Sequence, residues 1–447
     1  MSLSSREGAV ASGARLVQDP VVIVGLGVEA PAGILGPGAF WDALEEGRSL
    51  LEPLPRDRGW DLDRIFELPH RMGWGPVPDS GGFLHDATRF DAPFFGVTPR
   101  EAEGMDPQQR VAMRTAWQAL QQAGIDPASL IGEGHRAGVF MGVSPNAYGP
   151  AVHIPDPLLS GRRFTGYLNS SVAGRISNLL DLSGPAVSLD AACASSLAAL
   201  QQASNALYLG QCEWALAGAV CVIATTGSYV EFSRHRALDP SGFCRPYSAS
   251  AAGTIWSEGA VVAVMERNSR ALELGHRVLA EVRAVGVNHN GSGAHLTVPS
   301  QNAQEKLYCQ VLEDAGVLPQ EITLLEGHGT GTAAGDPREL RAIAAVYGYQ
   351  RDDELLLGSV KSNLGHAQAA AGFLGLAKVI LAGWHGCIPP SLHSDPWNPV
   401  IDWGSHRIRV PEAVESWNGP RLAAVSSFGV SGTNAHAIIE VRQEHHV

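Results

Sequence analysis

The sequence predicts a large α/β fold, and three observations carry that reading. Apolar residues make up 45% of the 447 positions, enough for an extensive core. Buried-strand runs alternate with helical patterns along the chain. A strand–turn–helix unit packed with small residues occurs once in each half, as VSLD-AACASSLAALQQA and as LLGSV-KSNLGHAQAAAGFLGLA. At about 150 residues per domain the length suggests roughly three domains, and one α/β fold or two fused halves fits equally. The 51 glycines and 28 prolines are scattered without a period of three, which excludes collagen-like and low-complexity chains.

In order, residues 1–18 are polar and expected to form a flexible N-terminal segment. Val21 to Val24 begin a buried strand. GPGAFWDALEEGRS reads as a short helix with Phe40, Trp41 and Leu44 on one face. Residues 51–95, rich in Pro, Gly and aromatics, read as an irregular packed region. A clear helix follows, with Asp106 as N-cap, Pro107 in its first turn and Gly124 at its end. HRAGVFMGVSP is a strand entering a turn, Ser170 to Leu179 a helix, SGPAVSLD a strand, the segment from Ala191 a helix, and WALAGAVCVIATTG a buried strand. The rhythm then repeats: HRVLAEVRAVGVNHN a strand, SQNAQEKLYCQVLEDAG a helix, EITLLEGHGT a strand into a turn, DPRELRAIAAVYG a helix, LLLGSV a strand, the Ala-rich helix, and two closing strands.

Composition excludes several functions. With 32 Lys+Arg against 45 Asp+Glu the net charge is -13, which disfavours nucleic-acid binding and anionic membranes. No run of about 18 apolar residues is present, and MSLSSREGAVASGARL holds no secretory apolar region. The six cysteines (193, 212, 221, 244, 309 and 387) form neither CxxC nor a zinc-spaced Cys/His set, so a reducing, cytoplasmic location and no metal are expected. Gly25-Leu26-Gly27 lacks a third glycine at Ala30, and GHGTGTAAGDP lacks the GK[ST] ending of a phosphate loop. Neither reads as a nucleotide site.

Chemistry concentrates at three turns. Cys193 stands where a strand meets a helix, where unpaired N–H groups and the helix dipole are expected to lower its pKa. A buried, inert cysteine is the commonest alternative for a lone thiol. His328, in EGHGTGT, follows a strand, and His366, in KSNLGH, opens the Ala-rich helix of the second half. If the halves pack with pseudo-symmetry, Cys193, His328 and His366 converge on one pocket. Core histidines with local hydrogen bonds are the alternative.

The motifs IVGLG, RDRGWDLD, GGFLHDATRFDAPFFGVTPREAEGMDPQQR, DAACASSLAAL, EGHGTGTAAGDPRE, KSNLGHAQAAAG and SSFGVSGTNAH occur in this order across about residues 19–441. In them the chain resembles the ketosynthase (β-ketoacyl-ACP synthase) domains of modular type I polyketide synthases, in the thiolase-like superfamily. The resemblance implies a five-layered αβαβα fold with two mixed sheets and pseudo-duplicated halves, 19–270 carrying the nucleophilic cysteine and 271–447 the two catalytic histidines. It implies that Cys193 accepts an acyl chain from carrier-protein phosphopantetheine. A decarboxylated malonyl or methylmalonyl unit then attacks that thioester in a Claisen condensation. His328 and His366 would serve decarboxylation and hold the enolate oxygen. Lys361 would support the site with Glu339 as partner, and Thr330 and Thr332 would bind the pantetheine arm. Backbone N–H groups of Cys193 and Val430 would form the oxyanion hole. The arm is expected to enter near Thr330–Thr332, and the aromatics around Phe90 to Phe95 to line the acyl side or a subunit interface. No bound cofactor is implied. A homodimer and an acyl carrier protein in trans are, since the chain stops at Val447 without acyltransferase or carrier segments and so reads as a free-standing enzyme. Intramolecular condensation of a carrier-bound intermediate by the same residues is one alternative, and a non-catalytic structural partner another. Coenzyme A thiolase chemistry fits the GTNAH pattern poorly.

The sequence departs from the family's usual residues at Ala191 and Ala194 beside the nucleophile, at Gly327, at Ile255 and Ser257 in GTIWSEG, and at His289 and Asn290 in NHNG. None removes Cys193, His328, His366 or Lys361. The loss of two hydroxyls beside Cys193 implies altered packing around the acyl thioester.

Overall fold

The computed structural model describes residues 19–149, 163–292 and 295–442. The expected N-terminal segment 1–18 lies outside them.

The first strand, β1 (Val21–Ala30), is buried along its whole length, as a strand covered on both faces must be. Its two glycines are where helix α2 (Pro107–Gln122) crosses: a methyl on Gly27 would sit 2.2 Å from the Thr115 carbonyl oxygen and one on Gly25 2.5 Å from that of Ala119. Gly25-Leu26-Gly27 thus serves close helix–strand packing. Preceding α2, helix α1 (Pro37–Glu45) buries Phe40, Trp41 and Leu44. Asp106 caps α2 by accepting from the Gln108 N–H at 2.7 Å.

The remaining elements fall into two matching series. In the first, β2 (Ala137–Val143), α3 (Ser170–Leu179), β3 (Ala186–Leu189), α4 (Ser195–Tyr208), β4 (Trp214–Cys221) and β5 (Gly259–Arg267) follow in order. The second begins with β6 (Ala280–His289) and α5 (Gln301–Ala315). It continues through β7 (Leu324–Glu326), α6 (Asp336–Val346), β8 (Leu355–Gly358), α7 (Ala371–His385), β9 (Leu422–Phe428) and β10 (Thr433–Val441). In each half the first inner strand pairs in parallel with two neighbours, β2 with β3 and β4, β7 with β8 and β9. The next pairings turn antiparallel, β4 with β5 and β9 with β10.

Helices α2 and α3 cover one outer face and α5 and α6 the other, while α4 and α7 lie between the two sheets and touch each other. This is the thiolase-like αβαβα layering. The sheets are not separate, however: β1 and β6 pair at Val22↔Glu281 and Ile23↔Ala280. The hydrogen-bonded path therefore runs unbroken through eleven strands of a twelve-stranded sheet, ending at β3 on one side. One apolar cluster spans both halves, from Leu197 and Leu200 of α4 to Phe373 and Leu374 of α7.

Two helices differ from the sequence reading. Leu62–Met72 lies inside the supposedly irregular region and contains Pro69. Gly227–Arg234 follows the strand that ends at Cys221. The aromatics around Phe90 line no part of the cavity described below. Phe90 stacks on Phe95, and Phe94 and Phe95 meet each other and Trp117 of α2 edge-on, on the outer layer.

Candidate active site

The turn that carries Cys193 joins β3 to α4. Ala192 takes φ 52°, a left-handed conformation that a non-glycine residue adopts only when its surroundings impose it. Here they do. Ser195 Oγ accepts from the Ala191 N–H at 2.8 Å and donates to the Ala192 carbonyl at 2.6 Å. Asp190 accepts from the Ala192 N–H at 2.8 Å, and Ser427 Oγ donates to the Cys193 carbonyl at 2.5 Å. Gly429, just past β9, lets that strand end lie against the turn, because a methyl there would stand 2.5 Å from the Ala191 carbonyl oxygen. Val430 follows, and its N–H and that of Cys193 both act on the Cys193 sulfur.

The expected low thiol pKa is corrected by the structure. Burial pushes the Cys193 thiol up to about 11, against the opposing pull of Lys361 and the two N–H groups. The helix begins only at Ser195, so its free N–H groups do not offset the loss of water around the sulfur.

His328 sits after β7 and His366 before α7. Both side chains are fixed at Nδ1 by a backbone N–H: Phe428 donates to His328 at 3.3 Å, and Gln368 donates to His366 at 3.2 Å. A neutral ring that accepts at Nδ1 carries its proton on Nε2. Burial, then the nearby Lys361 charge, holds both imidazoles well below their usual pKa, and His366 adds to the effect on His328. The rings lie 5.4 Å apart, nearly perpendicular. The site therefore holds two neutral N–H donors, suited to an oxygen that gains negative charge.

Two carboxylates of α6, one turn apart, hold the GHGTGT loop. Glu339 accepts from the His328 N–H at 2.6 Å and the Gly329 N–H at 2.8 Å. Asp336 accepts from the Thr332 and Gly331 N–H groups, both at 3.2 Å. Burial raises Glu339 to about 7 and Asp336 to about 6. Gly329 and Gly331 take positive φ in this loop. Thr330 and Thr332 lie on its cavity side, their hydroxyls 3.1 Å apart.

Lys361 is buried at the start of a short helix, Lys361–Leu364, that follows β8. Burial lowers its pKa, while Glu326 and then Glu339 raise it. The charges of Lys361 and Glu339 act on each other, while the Glu339 carboxylate accepts its hydrogen bonds from the loop N–H groups. A second buried lysine, Lys378 of α7, pairs with Glu326 at 2.8 Å. Sequence reasoning missed both of these residues. The one available signal was a lysine inside the apolar run AGFLGLAKVILAG.

A cavity of about 690 Å³ unites the site, lined by Cys193, His328, His366, Thr330, Thr332, Glu339 and Val430 together with Trp256 and Phe232. Lys361 stands behind this wall. The NHNG segment braces the loop that carries Val430: Asn290 accepts from Asn434 at 2.9 Å, and the His289 ring meets the Ser431 carbonyl at 3.0 Å. The RDRGWDLD and WSEG motifs also hold structure, because Arg58 grips Glu258 through both guanidinium nitrogens. Among the described residues no group of side chains could hold a metal ion and no helix is long and apolar enough to cross a membrane.

Comparison with known proteins matches the β-ketoacyl synthase N-terminal domain to residues 18–271 and its C-terminal domain to residues 279–395. The chain belongs to the β-ketoacyl synthase family. It is 44% identical to polyketide synthase GfsE of Streptomyces halstedii over 96% of its length, and 45% identical to erythronolide synthase EryA2 of Saccharopolyspora erythraea, also over 96%. It spans only 11% and 12% of those two proteins. The oxazolomycin ketosynthase domain OzmH KS7 of Streptomyces albus superimposes with a TM-score of 0.86 at 36% identity, covering 95% of this chain and 74% of that one. The ketosynthase from module 6 of the bacillaene synthase of Bacillus subtilis gives 0.86 at 34%, covering 95% and 73%. Ketosynthases are condensing acyltransferases of polyketide assembly. They use no cofactor of their own and take acyl groups carried on the phosphopantetheine of carrier proteins.

Proposed function

We infer that this ketosynthase elongates polyketide chains by decarboxylative Claisen condensation at Cys193. The observation that carries the reading is the cavity in which a buried thiol, two convergent backbone N–H groups and two Nε2-protonated imidazoles stand together. In the first step the Cys193 sulfur attacks the carrier-bound acyl thioester. The thioester oxygen takes up charge against the N–H groups of Cys193 and Val430, the pantetheine thiolate leaves, and the cysteine proton goes to it. A malonyl or methylmalonyl thioester then enters. Its carboxylate departs as CO2, and the electron pair becomes an enolate whose oxygen is held by His328 and His366. The enolate carbon attacks the Cys193 thioester carbonyl, the carbon–sulfur bond breaks, and the β-ketoacyl chain leaves on its carrier.

Other assignments complete the reading. Thr330 and Thr332 bond the pantetheine arm at the cavity mouth, and Lys361 favours negative charge in the site. The division near residue 270 separates a nucleophile half from a histidine half. The six cysteines, all unpaired, accord with a reducing cytoplasm. β3 is an open edge of the sheet with Val187 exposed, which supports pairing with a second copy. The expectation of a free-standing enzyme served by a carrier in trans is not carried further, because the curated relatives hold the matched unit within far longer proteins.

The test combines acyl- and malonyl-carrier proteins with mass spectrometry of enzyme and product. Wild type is expected to gain an acyl adduct, release CO2 and lengthen the chain, and Cys193→Ala to gain no adduct. An undiminished adduct on Cys193→Ala would sink the nucleophile assignment. Product from a single carrier-bound substrate without CO2 would replace elongation by intramolecular condensation.

A further inference from the structure

Gly327 stands one residue before His328 and outside the left-handed region, so its backbone tolerates a side chain. The space does not. A methyl on Gly327 would lie 1.8 Å from the hydroxyl oxygen of Tyr247 and 3.1 Å from its Cζ. Tyr247 is fully buried at φ 60°. It touches both loop-holding carboxylates: its N–H donates to Asp336 at 2.8 Å, and its hydroxyl donates to Glu339 Oε2 at 3.3 Å. Glu339 in turn holds the His328 and Gly329 N–H groups.

We propose that Tyr247 is a positioning residue for condensation. Its hydroxyl fixes the Glu339 carboxylate and thereby the main chain of His328, and Gly327 leaves the space that admits it. This rests on the reading that His328 serves decarboxylation and enolate stabilisation. The oxyanion hole draws its N–H groups from Cys193 and Val430, on other loops, so acylation does not depend on the Tyr247 hydroxyl. The two half-reactions should therefore separate.

The experiment compares Tyr247→Phe, Gly327→Ala, the double variant and, as reference, His328→Ala. Acylation is read by intact mass with the propionyl thioester of N-acetylcysteamine, and CO2 release with the malonyl thioester. Tyr247→Phe should acylate within about twofold of wild type and release CO2 about tenfold more slowly, as loss of a hydrogen bond to a charged acceptor implies. Gly327→Ala should be slower still, and the double variant should recover toward the Tyr247→Phe rate, because the clashing oxygen is gone and only the 3.1 Å contacts to Tyr247 Cζ and Glu339 Oε1 remain. Where melting shows that Gly327→Ala does not fold, the split in Tyr247→Phe decides alone. Unchanged CO2 release in Tyr247→Phe beside an inactive His328→Ala, or a parallel loss of both half-reactions, would overturn the assignment to Tyr247. Undiminished CO2 release by His328→Ala would overturn the role of His328 and this inference with it.

Discussion

Glu339 is poised between two demands. Its carboxylate form makes the stronger hydrogen bonds to the His328 and Gly329 N–H groups, yet burial raises its pKa to about 7. As pH falls through about 7 the group takes up a proton and loosens its hold on the loop. CO2 release should decline with it, while Cys193 acylation should not. For stability the sign is opposite: a carboxyl whose pKa is raised on folding contributes stability below its unfolded value, and that contribution is lost as pH rises through 7. A pH–rate profile of CO2 release checks the first claim, and Glu339→Gln, which does not titrate, should abolish that limb. That Cys193, His328 and His366 share one cavity was legible because each lies in a contiguous motif at a strand-to-helix turn. The thiol pKa was not, because desolvation depends on chain folded over the turn from β9, more than 230 residues away.

Among the elements, α7 carries the least legible feature. Lys378 is buried against Glu326 at 2.8 Å, in a fully packed apolar layer. Replacing one partner leaves the other charge without compensation, so Lys378→Met should lose about 3–5 kcal/mol of stability. The double change Glu326→Gln with Lys378→Met should recover much of it, and urea melts of both variants measure this. Equal loss in single and double variants would argue against the pair. The lysine is visible in the sequence, but its partner stands 52 residues earlier at the end of β7, and no local pattern links them. Strand and helix periodicity located β1, α2, α3 and α4 because their apolar faces repeat regularly. The helix Leu62–Met72 was hidden by its internal Pro69 and its setting among turn-forming residues.

For the molecule as a whole, β3 ends the twelve-stranded sheet with an unpaired edge and leads directly into the Cys193 turn. A proline there removes a backbone donor and resists strand pairing. Light scattering should find wild type at twice the 47.2 kDa chain mass and Ala186→Pro, at a residue facing the open edge because the neighbouring Pro185 carbonyl is turned inward to the Val139 N–H, at or near the single-chain mass. A monomeric wild type would remove β3 as a dimer edge. The duplicated architecture was legible from the recurring small-residue helix. The β1–β6 pairing that joins the sheets was not, since it involves only two residue pairs whose register the fold decides.

The layer shared by α4 and α7 also sets a schedule for synthesis. α4 is complete at Tyr208, but α7, which covers it, begins at Ala371. The 162 residues between them take roughly 10–30 s to translate at ~5–20 residues per second. α4 packs on β2 and β4 of its own half, but throughout that interval the side that α7 covers, where Leu197 lies against Gly372, has no native cover. The first half cannot close its core on the ribosome and must be kept from aggregating until the second arrives. Slower, cooler expression and chaperone supply should thus govern the yield of this protein more than the final stability of its fold does.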